Sequence, residues 1–184
     1  MDSSDEEKIA GLIDNDDFEF IEFTNISLEP HNLEDYELLG AVRHKFGNYI
    51  LGPGQKVLVV NRLKAFRERH GSLPKIVGEY DGNLSNSSER FVLRDPSGAS
   101  VLDFIYSGEW YDMTDGNGYS LTPVMSKDQS LTLASEKGWR PSRDVGGSPG
   151  NDSDHFFGWV WKNFSNSSAL DSNISGAFED PDMD

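Results

Sequence analysis

Nucleophilic catalysis requires a hydroxyl or thiol held beside a positioned base. This chain has no cysteine, and its histidines are His31, His44, His70 and His155. None of them lies in an H-E-x-x-H pattern, and no G-x-S-x-G elbow occurs in the sequence. Each histidine therefore reads as a surface or interface side chain. Glu19 and Glu22 flank Ile21 on the first strand-like run. Being three apart, they fall on opposite faces of an extended chain and are poorly placed to cooperate as acid and base. Asp112 and Asp115 stand in "WYDMTDGNG", where Asp115-Gly116 suits a turn and loop oxygens suit calcium. No nucleophile, base and metal converge, so the sequence predicts no enzyme.

Two further sets have chemistry of their own. Asp180, Asp182 and Asp184, in "EDPDMD", occupy positions 1, 3 and 5 of a D-x-D-x-D-G calcium loop. The glycine and the distal bidentate acid of such a loop do not follow, so the motif is incomplete and a merely acidic tail is the alternative. No cofactor is expected of this chain, and calcium only of a longer parent protein. "DNDD", Asp14 to Asp17, also gathers acids but lacks the Gly and distal Glu of the loop. Trp110, Tyr111 and Tyr119 are the ligand-binding candidates, because aromatic rings on a sheet face or at loop tips can hold a sugar.

The elements that must position these residues follow from composition and pattern. The 184 residues suit one domain with flanks. Residues 1–22 carry nine acids against one Lys, and residues 151–184 carry seven acids against one Lys. The stretch between them is nearly neutral, with sixteen acids and fourteen bases. That balance argues against a nucleic-acid partner, which needs concentrated Lys and Arg. The one basic stretch, "NRLKAFRERHG", reads as the solvated face of a short helix with Leu63 and Phe66 turned inward. No apolar run is long enough for a membrane span. Seven Asn-x-Ser sequons, at Asn25, Asn83, Asn86, Asn151, Asn163, Asn166 and Asn173, arise easily in Asn/Ser-rich loops and decide nothing.

Along the chain, Ser4 with Glu7 forms a capping-box pattern and Gly11 stops the turn. Strand-like runs follow at Phe18–Asn25, in "YELLGAVRHKF", at Val57–Val60, and in "KIVGEY", "SERFVLRD", "ASVLDFIYS" and "GYSLTPV". The helix from Arg62 to His70 interrupts them and Gly71 ends it. "DGNLSN" connects two strands, and "DPSG" is a tight turn. Short strands at this spacing predict an all-β sandwich of about seven strands with one short internal helix. The domain is expected to run over 18–150, after an acidic segment 1–17 and before an acidic linker 151–184 with an aromatic island, His155 to Phe164.

The succession "FEFIEFTNIS", "LGPGQKVLVVN", "GNLSNSSERFVLRDPSG", "DGNGYSL", "WRPS" and "GGSPG" resembles the bacterial form of the lamin tail domain, over about Phe18 to Gly150. The resemblance implies an immunoglobulin-like β-sandwich. It also implies a non-catalytic accessory module for adhesion, targeting or spacing in a larger secreted or cell-envelope protein, facing a protein or polysaccharide surface. The segment before "EDPDMD" is similar to linkers that introduce calcium-binding repeats in such bacterial extracellular proteins. The alternative is a carbohydrate-binding accessory module of a secreted hydrolase, for which Trp110 and Tyr111 should be exposed. Two departures from the family pattern stand out. Tyr36 replaces the usual Trp, with Asp35 in the usual Gly position. The family's opening strand is missing as well, which implies an uncovered sheet edge open to flanking segments or to a second copy of the chain.

Overall fold

A computed structural model describes residues 4–9, 11–12, 14–72, 75–124 and 132–150. The strands are β1 (Phe20–Thr24), β2 (His31–Asn32), β3 (Glu37–Gly40), β4 (Val42–Lys45), β5 (Ile50–Leu51), β6 (Lys56–Val60), β7 (Ile76–Glu79), β8 (Asp81–Gly82), β9 (Ser88–Arg94), β10 (Ser100–Ser107), β11 (Leu121–Pro123) and β12 (Trp139–Pro141). Two helices accompany them, α1 (Asp5–Ile9) and α2 (Leu63–His70). The strands outnumber the seven expected because β2, β5 and β8 are two-residue segments and β12 has only three residues, too short for alternation to register. In addition, "ELLGAVRHK" breaks into β3 and β4 at Gly40. Gly40 has φ +110°, and a Cβ there would come within 2.2 Å of the Arg90 carbonyl oxygen, so only glycine fits this corner.

The fold is all-β and sandwich-like. A five-stranded sheet, ordered β10-β9-β3-β4-β8, faces a three-stranded sheet, ordered β1-β6-β7. Leu38, Val42, Phe91 and Leu93 from the first meet Val59, Ile21 and Phe23 from the second in the main core. The run "KVLVV" is apolar without alternation because β6 is buried on both sides. Val59 faces the sandwich interior, while Leu58 and Val60 pack with Phe66 of α2 on the opposite face. α2 thus serves as the crossover that lets β6 and β7 run parallel. Its inward residues, Ala65 and Phe66, are fully buried, and Leu63 is packed at their side.

The acidic segment before β1 packs against the outer side of α2. Ser4 and Glu7 make the reciprocal capping box, Ser4 N–H to Glu7 Oε2 at 2.7 Å and Glu7 N–H to Ser4 Oγ at 3.2 Å. Leu12 and Phe18 form a small core with Ala65. The Glu7 carboxylate receives Arg69 through two bonds of 3.0 Å, and that guanidinium lies 3.5 Å over the Phe18 ring. Asp17 holds Arg62 at 2.7 Å. Arg62, just before α2, and Arg69 within it are therefore both paired within the fold.

Two loop residues fix the chain after β1. The buried Asn25 amide donates to the Glu29 and Leu51 carbonyls at 2.8 and 2.9 Å, and its oxygen accepts the Ser27 N–H and hydroxyl. Asp35 sits at φ +62° in the left-handed region and reaches Lys45 at 2.9 Å. In the "DPSG" turn, Asp95 Oδ1 accepts the N–H groups of Ser97 and Ala99, and the Gly98 N–H returns to the Asp95 carbonyl.

Candidate functional site

The described histidines serve the fold. His44 on β4 donates from Nδ1 to the Glu79 carbonyl of β7 at 2.8 Å, linking the two sheets. Its ring covers Gly78, where a Cβ would lie 2.3 Å from His44 Cε1. His70 packs on Phe66 and Phe20, and burial lowers its pKa, with the Arg69 charge acting in the same direction. His31 lies 2.9 Å from the Ser27 hydroxyl. His155 lies outside the described residues.

Glu19 is the group the sequence undervalued. It directly precedes β1, closing a short 3-10 turn at Asn15–Phe18, so its geometry is not that of a strand partner of Glu22. Its Oε2 accepts the Leu84 N–H at 2.9 Å and the Tyr80 hydroxyl at 3.2 Å. Burial, assisted by the charges of Asp16 and Asp14, pushes its pKa up to about 7 against the restraining hydrogen bonds. Beside it, Asn83 donates to Asp16 at 2.9 Å, and Asn61 donates to Gly82 O and Asn83 Oδ1. Tyr106 donates to the Ser85 carbonyl at 3.1 Å. The Asn/Ser run is thus a loop clasped onto the sandwich, and both donors on the Glu19 oxygen belong to the fold. Glu22 pairs instead with Lys56 at 2.9 Å.

The aromatic candidates lie beyond the end of β10. Ser107 caps a 3-10 turn, Gly108–Trp110, and a second one follows at Asp112–Thr114. Trp110 is half-buried, 6.3 Å from Trp139 of β12, which in turn lies 5.6 Å from Phe104 of β10. The half-buried Tyr111 donates its hydroxyl to the Trp139 carbonyl at 2.8 Å, and burial raises its pKa. The structure therefore brings Trp110 and Tyr111 together around Trp139, a residue the sequence reading did not single out. Its signal was the β-strand after "SEKG", which pairs with "LTP" as β11–β12. Tyr119 is half-buried as well, but no ring contact joins it to this group among the described residues.

Among the described residues, β10 forms one edge of the five-stranded sheet. The Gly108 N–H reaches the Ser87 carbonyl at 2.6 Å, which makes Ser107 and Ser88 a pair without mutual hydrogen bonds. Counting back by twos, Ile105 and Asp103 likewise turn their N–H and C=O away from β9. Val101 and Ile105 are 52% and 56% exposed. Asp103 between them is held by Arg90 through bonds of 2.8 and 2.7 Å. The opposite edge, β8, is only two residues long. The β1 edge of the smaller sheet has Gly147 against Phe20 and receives the Gly150 N–H at Glu22.

Near the β3–β4 end, an open depression is lined by Asp35, Glu37, Lys45, Arg94 and Asp95, in which acids and bases offset each other. Asp112 and Asp115 are exposed, and no group of three His, Asp or Glu among the described residues is arranged to hold a metal ion. Asp180, Asp182 and Asp184 lie outside the described residues. No helix among the described residues is long and apolar enough to cross a membrane. No protein-family model matches the chain, and no curated protein matches it significantly.

Proposed function

We propose that this chain is a non-catalytic interaction module, an immunoglobulin-like domain of the lamin-tail kind that serves adhesion, targeting or spacing in a larger bacterial protein of the cell envelope or exterior. The observation that carries the reading is β10, an eight-residue strand at a sheet edge with outward main-chain groups at Asp103, Ile105 and Ser107. Such an edge binds extended polypeptide by strand addition, the main chain supplying affinity and alternate side chains supplying specificity. Asp35 supports the lamin-tail assignment: it adopts the left-handed conformation at the position where the family carries glycine. The carbohydrate reading fits the geometry less well, because the Tyr111 hydroxyl is engaged by the backbone and Trp110 is half-buried near Trp139.

Selection of displayed peptides against the full chain tests the proposal. Extended binders are expected, and they should slow amide exchange at Asp103 and Ile105. Titration with oligosaccharides should leave tryptophan fluorescence unchanged. A sugar-dependent change that vanishes in Trp110→Ala, with no peptide selected, would replace this reading with the carbohydrate one.

A further inference from the structure

Edge strands are defended by charge, proline, a bulge or a cover. β10 has a bulge at its start, where the register shifts between Ser100 and Leu102. From Leu102 to Ser107 it is regular, contains no proline or lysine, and carries one charge, Asp103, which Arg90 neutralises. The remaining outward side chain at its centre is Ile105, more than half exposed.

We propose that β10 pairs antiparallel with β10 of a second copy of this chain, about a two-fold axis at Ile105. This rests on the reading of β10 as an interaction edge and names the partner. The register is the one that uses every outward position of the regular run. Only an axis at Ile105 opposes Asp103, Ile105 and Ser107 with one another, whereas an axis at Phe104 sets Ser107 against the bulged Val101 and an axis at Tyr106 sets Asp103 against Glu109 beyond the strand. Residues with outward main-chain groups must oppose one another, so odd-numbered positions face odd-numbered positions. The bulge removes Val101 from the regular run, which excludes registers that depend on it. An axis at Asp103 would set two carboxylates face to face, which like-charge repulsion disfavours.

With the axis at Ile105, the two Ile105 side chains meet, and Asp103 faces Ser107 of the other copy, whose hydroxyl can donate to it. On the inner face, Phe104 opposes Tyr106 of the other copy, an aromatic pair of the kind that stabilises cross-strand contacts. The interface is isologous, so it closes at two copies and does not propagate into a fibre. The two five-stranded sheets become one continuous sheet across the axis.

Sedimentation equilibrium of the full chain tests the assembly. Molar mass is expected to rise with concentration from 20.5 kDa toward twice that value. Ile105→Lys, which sets two like charges across the axis, and Ile105→Pro, which removes an outward N–H without touching the β9 ladder, should both stay monomeric with unaltered circular dichroism. Because the chain has no cysteine, Ile105→Cys should form an oxidised dimer and Asp103→Cys should not. A wild-type chain that is monomeric at its highest attainable concentration overturns the proposal. So does a dimer that survives Ile105→Lys, or Asp103→Cys cross-linking as readily as Ile105→Cys. If the monomeric chain still selects peptides along β10, only the self-pairing fails; if it selects none, the interaction reading fails with it.

Discussion

At the residue scale, Glu19 makes stability fall as pH rises, the opposite of Glu7, Asp95 and Asp103, whose carboxyls are held below their ordinary values. Its folded pKa of about 7 lies above its ordinary value of 4.5, so the folded chain holds the proton more tightly than the unfolded one. Below 4.5 both states are protonated and the group contributes nothing; as pH rises toward 7 folding must retain a proton the unfolded chain has lost, and stability falls, then levels off. Glu19→Gln keeps an acceptor for the Leu84 N–H and has no charge to desolvate. It is expected to raise stability at pH 8 by about 1–2 kcal/mol, a figure reduced for the part of the carboxyl that water reaches. Its advantage should vanish near pH 4, as urea midpoints at the two pH values will check. Asp35 gives a second prediction: Asp35→Val should cost about 1–2 kcal/mol, because a β-branched residue resists φ near +62°, whereas Asp35→Gly should be nearly neutral. Asp35 stood out in the sequence only through the family resemblance, which sets it at a usual Gly position. The pKa of Glu19 was not legible there, since the groups that bury and bond it, Tyr80 and Leu84, are 61 and 65 residues away along the chain.

At the scale of elements, local pattern was a good guide wherever local chemistry determines the element. Ser4 and Glu7 announced a helix start, "DPSG" a turn, and Arg62–His70 a helix, and each of these depends on neighbours within a few residues. What an element packs against was harder to read. Leu12 is one of a few apolar residues, with Ile9 and Ile13, in an otherwise acidic segment, yet it is 3% exposed because α2 arrives from beyond β6 to meet it. Leu12→Ala should therefore cost about 2–4 kcal/mol in thermal or denaturant unfolding, the loss of a buried leucine rather than of a surface one. The β3–β4 corner is equally strict. Gly40→Ala would force backbone movement between β3 and β9, with a loss of more than about 2 kcal/mol expected from overpacking and φ strain together.

At the scale of the whole molecule, the described residues form layers that close on themselves: a five-stranded sheet, a three-stranded sheet, α2, and the acidic segment laid against α2. Among the described residues, the buried clusters lie within Met1–Gly150, which is one compact unit of the chain. A chain ended at Gly150 keeps all of these clusters and should unfold in a single cooperative transition. Calorimetry of the shorter chain decides this, and a broad transition whose calorimetric and van't Hoff enthalpies disagree counts against it. The buried Asn25 amide bears on how the molecule is manufactured. A eukaryotic secretory host adds glycans to sequons on the nascent polypeptide, before folding hides them, and Asn25-Ile26-Ser27 would be offered to its transferase while still extended. A glycan on that nitrogen would displace the Glu29 and Leu51 carbonyls and could not enter a site 7% exposed. Yeast or mammalian culture should thus retain the wild-type product intracellularly, and Ser27→Ala, which erases the acceptor signal and leaves the backbone N–H bond to Asn25 intact, should release it into the medium.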